Sequence, residues 1–187
     1  MKSVLPIFRQ HRTRPILGWL IVAATASGLV ACQGVSMGKQ RAASAIMTPA
    51  SQSTVEGTVA FRAIQDQLKV DVQLSGLVPQ SVHGLHVHAN GDCSAADASS
   101  AGGHFNPTKQ MHRNGDEHHA GDLPNVTADQ NGQVNAVLYI KGLTIKADEL
   151  TDIQGRSVVL HADPDDYQSQ PSGNAGQRIA CGVIRVS

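Results

Sequence analysis

The stretch "GLHVHAN", residues 84–90, sets two histidines one residue apart around a single valine. In a β-strand successive side chains point to opposite faces, so His86 and His88 share one face while Leu85 and Val87 share the other. The apolar pair belongs to a barrel interior. The two imidazoles are then expected on the outer side of the strand, covered by long loops instead of solvent. At this i, i+2 spacing one strand can aim both rings at one metal ion.

The same period of two recurs on either side. In "QLKVDVQLSGL", residues 67–77, Val70, Val72 and Leu74 face one way and Lys69, Asp71 and Gln73 the other. "STVEGTVAFRA", residues 53–63, alternates likewise, and further strands are expected at 82–89, 126–128, 133–140, 157–162 and 181–186. "DQNG", residues 129–132, is a tight-turn signal between two of them. Helical patterns are nearly absent, a turn around "KADEL" at 146–150 excepted. Many short strands broken by Gly, Pro, Asn and Asp predict an all-β sandwich or barrel. Two intervals, 90–125 and 163–177, are too long to be turns. Long irregular stretches inside a compact domain are functional or disordered, and the first of these holds four histidines.

The N-terminus has a different character. Lys2, Arg9, Arg12 and Arg14 precede "ILGWLIVAATASGLVAC", residues 16–32, an apolar run ending in small residues. A positive region, an apolar region and a cleavage zone make a secretory signal, and the run is short for a bilayer-spanning anchor. "LVAC", residues 29–32, resembles the lipobox of bacterial lipoproteins, in which the cysteine is lipidated and becomes the first residue. Ordinary secretion is the alternative. The expected layout is a lipoprotein signal peptide over 1–31, a flexible tether over 32–53, poor in periodicity and rich in Ala, Ser and Gln, and a domain over 54–187.

Cysteine and charge counts fit export. Of three cysteines, a lipidated Cys32 leaves Cys93 and Cys181 as an even pair in an oxidising compartment, as a disulfide or as two free thiols. Four of the fifteen basic residues lie in the leader and all fifteen acidic ones beyond it, so the mature chain carries a formal charge of −4. That argues against nucleic acid as a partner. The only tryptophan, Trp19, leaves with the leader, so the core rests on Val, Ile, Leu and a few Phe and Tyr.

Eight of the nine histidines lie beyond the leader. His104, His112 and His119 follow in the first long interval with Asp122 three residues after the last, and His161 ends the β-branched run "SVVLH". An imidazole-rich set with one carboxylate suits zinc or copper, whereas calcium and magnesium favour oxygen. Three histidines with an aspartate make a closed tetrahedral zinc set, and a set of histidines alone suits copper(II) with room for a small ligand. Ligand type and spacing therefore lead to a two-metal site.

"GLHVHANGDC", "AGGHFNP", "HHAGDLPNV", "GRSVVLHADPDD" and "GNAGQRIACGVI", in this order, resemble the copper,zinc superoxide dismutase family, in its secreted bacterial branch. The resemblance implies an eight-stranded Greek-key barrel or sandwich, immunoglobulin-like, with two long functional loops. It implies one copper and one zinc ion per subunit, copper at His86, His88, His104 and His161, and zinc at His104, His112, His119 and Asp122. His104 would bridge the two metals and move the proton, and Asp165 would link ligands of both. Arg178 would stand beside the open copper position, and Cys93 and Cys181 would form the intrasubunit disulfide. The substrate would be superoxide, the place the periplasm with a lipid anchor in the outer membrane through Cys32, and a homodimer stays open. A metal-binding or chaperone protein on the same fold is the competing reading, against which all six histidines, Asp122 and Arg178 are present. Of the remaining histidines, His83 is expected to be buried with both nitrogens hydrogen-bonded, and His118 to face solvent. The second long loop has Asp163, Asp165 and Asp166 but no lysine. The lysines with which eukaryotic members steer superoxide are thus missing there, and Lys109 and Arg113 are the candidates to replace them.

Overall fold

The computed structural model describes residues 41–112 and 118–187. The expected signal peptide, Cys32, Arg113 and the first part of the expected tether lie outside the described residues.

Among the described residues nine antiparallel strands follow one another: β1 (Ala42–Pro49), β2 (Glu56–Ile64), β3 (Gln67–Ser75), β4 (Val82–His88), β5 (Asp122–Thr127), β6 (Val134–Lys141), β7 (Ser157–His161), β8 (Arg178–Val183) and the two-residue β9 (Arg185–Val186). Their order is β5-β4-β7-β8-β1-β2-β3-β6, with β9 beside β1. Because β4 leaves β3 to join the far half, and β7 leaves β6 to return beside β4, the connections are of Greek-key type. The eight-stranded barrel is nearly closed. The helical turn expected at 146–150 is an ordinary turn, and among the described residues the only helix is a 3₁₀ turn, Ser99–Ala101.

The alternation read from the sequence is realised in the core. Leu68, Val70, Val72 and Leu74 of β3 meet Val59 and Phe61 of β2, Leu85 and Val87 of β4, and Val158 and Leu160 of β7 in one apolar cluster. "DQNG" makes its turn, with the amide of Gly132 donating to the carbonyl of Asp129 at 3.1 Å and Gly132 at φ +72°, where a side chain would be strained. Expected strand ends shift by a few residues, as termini do.

One expectation is overturned. Residues 42–49, placed in the flexible tether, form β1, and β1 is the seam of the barrel. Its first six residues pair with β2, and Thr48 and Pro49 pair with Cys181 and Ala180 of β8. Ala43, Ala45 and Met47 are buried. The physical reason is weak contrast: alanines face inward, and the most apolar residue, Ile46, faces outward at 73% exposure, so the period of two is muted. The folded barrel therefore includes residues 42–49 of the expected tether.

Candidate metal centre

On β4 the face opposite Leu85 and Val87 carries His86 and His88, both fully buried. On β7, whose Val158 and Leu160 point into the barrel, His161 lies on the outer side next to them. That outer face is roofed by the two long loops, as expected. The first docks onto the edge of β4: the amide of Phe105 donates to the carbonyl of Val87, and the amide of Val87 donates to the carbonyl of Gly121, each at 2.8 Å. Gly121 is required there, since a Cβ would stand 2.3 Å from the Val87 oxygen. This docking bridges His104 to His88 and starts β5 at Asp122, paired with His86.

Two quartets result. One atom each from His86, His88, His104 and His161 lie within 4.8 Å of one another, and so do atoms from His104, His112, His119 and Asp122. His104 belongs to both. The rings are oriented by partners on their other nitrogens. Asp165 accepts from His86 Nε2 through Oδ2 and from His112 Nε2 through Oδ1, both at 2.8 Å. His88 Nδ1 donates to the carbonyl of Gly102 at 2.9 Å, and His161 Nδ1 faces the carbonyl of Gly176 at 3.3 Å. Outer partners of this kind fix tautomer and ring direction. His104 differs: its Nδ1 lies 2.7 Å from Asp122 Oδ1, itself a member of the second quartet.

Burial sets the protonation state. It pushes His88 down to about 2, His161 to about 3 and His104 to about 4, with neighbouring imidazoles adding to the effect. These three rings are therefore neutral at pH 7 and hold lone pairs ready for a cation. Burial works to raise the Asp165 carboxyl, but hydrogen bonds from His86, the Tyr167 amide and His112 outweigh it and hold it below the usual range. Asp122 is likewise lowered, against its burial, by His104, His112 and His119.

The decisive observation is what these rings do not bond. His86 Nδ1, His104 Nε2, His112 Nδ1 and His119 Nδ1 are buried and have no hydrogen-bond partner among the described residues. His112 Nδ1 is even 2.8 Å from Asp122 Oδ2, yet off the line a hydrogen bond needs. An orphaned buried polar atom costs about 1–3 kcal/mol, and four in one cluster make no sense as packing. As nitrogen donors arranged around two ions they do. A copper/zinc superoxide dismutase (SODC) family model matches residues 55–184. The chain belongs to that family.

Relatives match over much of the chain. Superoxide dismutase [Cu-Zn] 2 of Aquifex aeolicus is 40% identical over 121 residues, 62% of this chain and 71% of that protein. Superoxide dismutase [Cu-Zn] 3 of Arabidopsis thaliana is 40% identical over 149 residues, 75% and 88% of the two chains. The crystal structure of a double mutant of a SOD-like protein from Bacillus subtilis matches with a TM-score of 0.71 at 31% identity, over 76% of this chain and 96% of that one. Copper and zinc are the cofactors of the family, and the donor set here fits both.

Arg178, at the start of β8, is held rather than free. Its Nη1 donates to the carbonyl of Ala98 and its Nη2 to the carbonyl of Gly102, each at 2.7 Å. Gly102 thus serves both Arg178 and His88. Together with His88, His104, His161, Asn106 and Ser172 the guanidinium lines a cavity of about 410 Å³. The loop carrying those carbonyls is pinned by the Cys93–Cys181 disulfide, over a small second core of Ala50, Ala98, Ala101 and Val159. The bond closes a separation of 88 residues, so replacing both cysteines by serine is expected to lower unfolding free energy by about 4–5 kcal/mol on the chain-entropy account. Urea unfolding measures this; an unchanged midpoint would refute it.

The spare histidines divide. His83 is buried, with Nδ1 against the carbonyl of His161 at 2.8 Å and Nε2 against Ser81 Oγ at 2.6 Å, as expected. His118 is half-buried instead of exposed, its Nδ1 turned onto the carbonyl of His119 at 2.6 Å. Sequence reasoning missed the bracket around Asp165. Asn125 Nδ2 donates to the Asp165 carbonyl and Asn125 Oδ1 accepts its amide, both at 2.9 Å, while Tyr167 Oη accepts the Asn125 amide at 2.8 Å. No spacing rule points to them, because they act through the backbone.

Proposed function

We propose that this chain converts superoxide to oxygen and hydrogen peroxide in the cell envelope, as a lipid-anchored enzyme with copper at His86, His88, His104 and His161 and zinc at His104, His112, His119 and Asp122. The observation that carries this reading is His104, the one ring shared by both quartets, with Nδ1 on the Asp122 side and Nε2 unpartnered on the other. Copper supplies one-electron redox chemistry in both directions, and zinc, which has none, supplies fixed charge. Two superoxide ions and two protons give one oxygen and one peroxide. His104 Nε2 takes up one of these protons and hands it to the product. Arg178, fixed by two carbonyls, presents charge and the rest of its donors to a small anion in the cavity.

The test is superoxide removal by the purified domain loaded with copper and zinc. Tight uptake of both metals without turnover would make the chain a metal-binding protein instead. Arg178→Ala is expected to keep both metals, slow the second-order rate about tenfold and flatten its salt dependence; a stopped-flow series in increasing salt reads this, and an unchanged slope counts against it.

Support for the location comes from the leader, from the lipobox at Cys32 and from a disulfide suited to an oxidising compartment. Among the described residues no helix is long and apolar enough to cross a membrane. Superoxide crosses membranes poorly as an anion, so an enzyme outside the cytoplasm meets a pool that internal enzymes do not. Cys32→Ser should release the protein from membranes or leave it unprocessed; correct processing with normal membrane retention would exclude lipidation.

A further inference from the structure

The second long loop contains one contact that the proposed chemistry does not use. Gln170 reaches across 58 positions of sequence to His112 and clamps its peptide on both sides. Its Oε1 accepts the His112 amide at 3.0 Å, and its Nε2 donates to the His112 carbonyl. The second Nε2 hydrogen points toward the carbonyl of Gln168 at 3.3 Å. A side-chain amide here imitates a strand neighbour, pairing donor with acceptor and acceptor with donor. Gln170 is an exposed residue and His112 is fully buried, so the contact joins the solvent rim to the interior.

His112 is thereby held at two points by one short segment. Asp165 Oδ1 fixes the far nitrogen of its ring, and Gln170 fixes its backbone. Between them the segment is braced internally: Asp166 accepts from the amides of Gln168 and Ser169 and from Ser169 Oγ, and the Gly173 amide donates to the Ser169 carbonyl. Gly173 packs so tightly that a Cβ would stand 1.9 Å from Asp165 Oδ1. With ring and peptide both anchored, the direction of His112 Nδ1 is set before any ion arrives. The residues directly after Gln170, Pro171 and Ser172, line the cavity that leads to His88, His161 and Arg178.

We infer that Gln170 is a positioning residue for the zinc-side quartet, acting through the His112 peptide, and that it ties the rim of the substrate cavity to zinc binding. The inference rests on the assignment of zinc to His104, His112, His119 and Asp122. Gln170→Ala removes both hydrogen bonds. Gln170→Glu keeps the size and the acceptor, but at pH 7 its carboxylate faces the His112 carbonyl without a proton to share. Preorganised ligands lost from an outer layer lower metal affinity by about 10–100-fold.

The experiment is zinc competition against a chromophoric chelator on the full disulfide-bonded domain, with cobalt(II) absorption as a second reading of ligand geometry. Both Gln170 variants are expected to bind zinc about 10–100-fold more weakly and to show an altered cobalt spectrum, with copper affinity unchanged. Gln168→Ala, in the same segment but with no side-chain bond to His112, is expected to match the parent. Parent-like zinc affinity and cobalt spectrum in a folded Gln170→Glu protein overturn the inference. Equal losses of zinc and copper in Gln170→Ala also overturn it, since that marks general loosening. Failure of the underlying assignment looks different: the parent chain then retains zinc equally well after His119→Ala.

Discussion

In a domain loaded with copper and zinc, His161→Ala is expected to cut superoxide removal by at least about a hundredfold while zinc binding survives. His161 ends β7 on the roofed side of the barrel, and its Nε2 stands 3.4 Å from His88 Nε2. Two neutral ring nitrogens at that distance share no obligatory proton, so both lone pairs are available to one ion. Alanine deletes one donor of four and opens the cavity wall beside Arg178. Outer-layer changes at metal sites already cost about 10–100-fold, and loss of a direct donor acts more strongly. The zinc-side quartet lacks His161, so it should still fill. Pulse generation of superoxide with parallel metal analysis checks both halves. A variant with parent-like turnover would remove His161 from the site.

The second large effect concerns acid. In the metal-free protein the buried rings of His88, His161 and His104 titrate far below the ordinary 6.5. The unfolded chain therefore binds more protons than the native one as pH falls below about 6.5, and native stability declines in that direction. Three such groups give a slope of about 4 kcal/mol per pH unit. The decline continues until the folded pKa values are reached, near 4 for His104 and lower for the others. Asp165, held low by its hydrogen bonds, adds a loss of the same sign at still lower pH. Domains of this size hold about 5–15 kcal/mol in total. The metal-free protein is thus expected to unfold between about pH 5 and 4, and the metal-loaded one at lower pH. Thermal melts across that range decide it, and a flat melting temperature from pH 7 to 5 would show the rings to titrate in the native state as they do in the unfolded chain.

How much of this could be read from the sequence depended on what carried the signal. "GLHVHAN" announced its two faces because strand alternation is a property of side-chain type, and His86, His88, Leu85 and Val87 differ sharply in type. The seven residues of the two quartets stood out for the same reason: imidazoles are rare enough to be noticed at strand ends and in one long loop, with a carboxylate three residues after the last of them. β1 was invisible because Ala43, Ala45 and Ser44 differ too little to mark a face, and Ile46 points the opposite way from the core. The carbonyls of Ala98 and Gly102 that hold Arg178 left no trace at all, since every residue has a carbonyl. Gln170 and Asn125 act on backbone atoms far away in the chain, and only the fold brings them there. His118 illustrates a smaller limit. Its neighbour His119 fits the motif, but nothing local says that the ring of His118 would turn onto the backbone and shelter.

The seam strand has a consequence for how the molecule is made. Thr48 bonds to the carbonyl of Cys181, 133 positions away, and Ala43 pairs with Val186 at the other end of the chain. Contacts that distant in sequence slow folding, because a very large loop must close before the contact is gained. The first strand made waits for the last ones before the barrel can shut. Arg178, Cys181 and the wall behind His161 all arrive with that late segment, so a chain synthesised only through His161 carries all seven residues of the two quartets but neither the disulfide nor the shut barrel that aims them. The ligand set is complete in sequence before the frame that orients it exists.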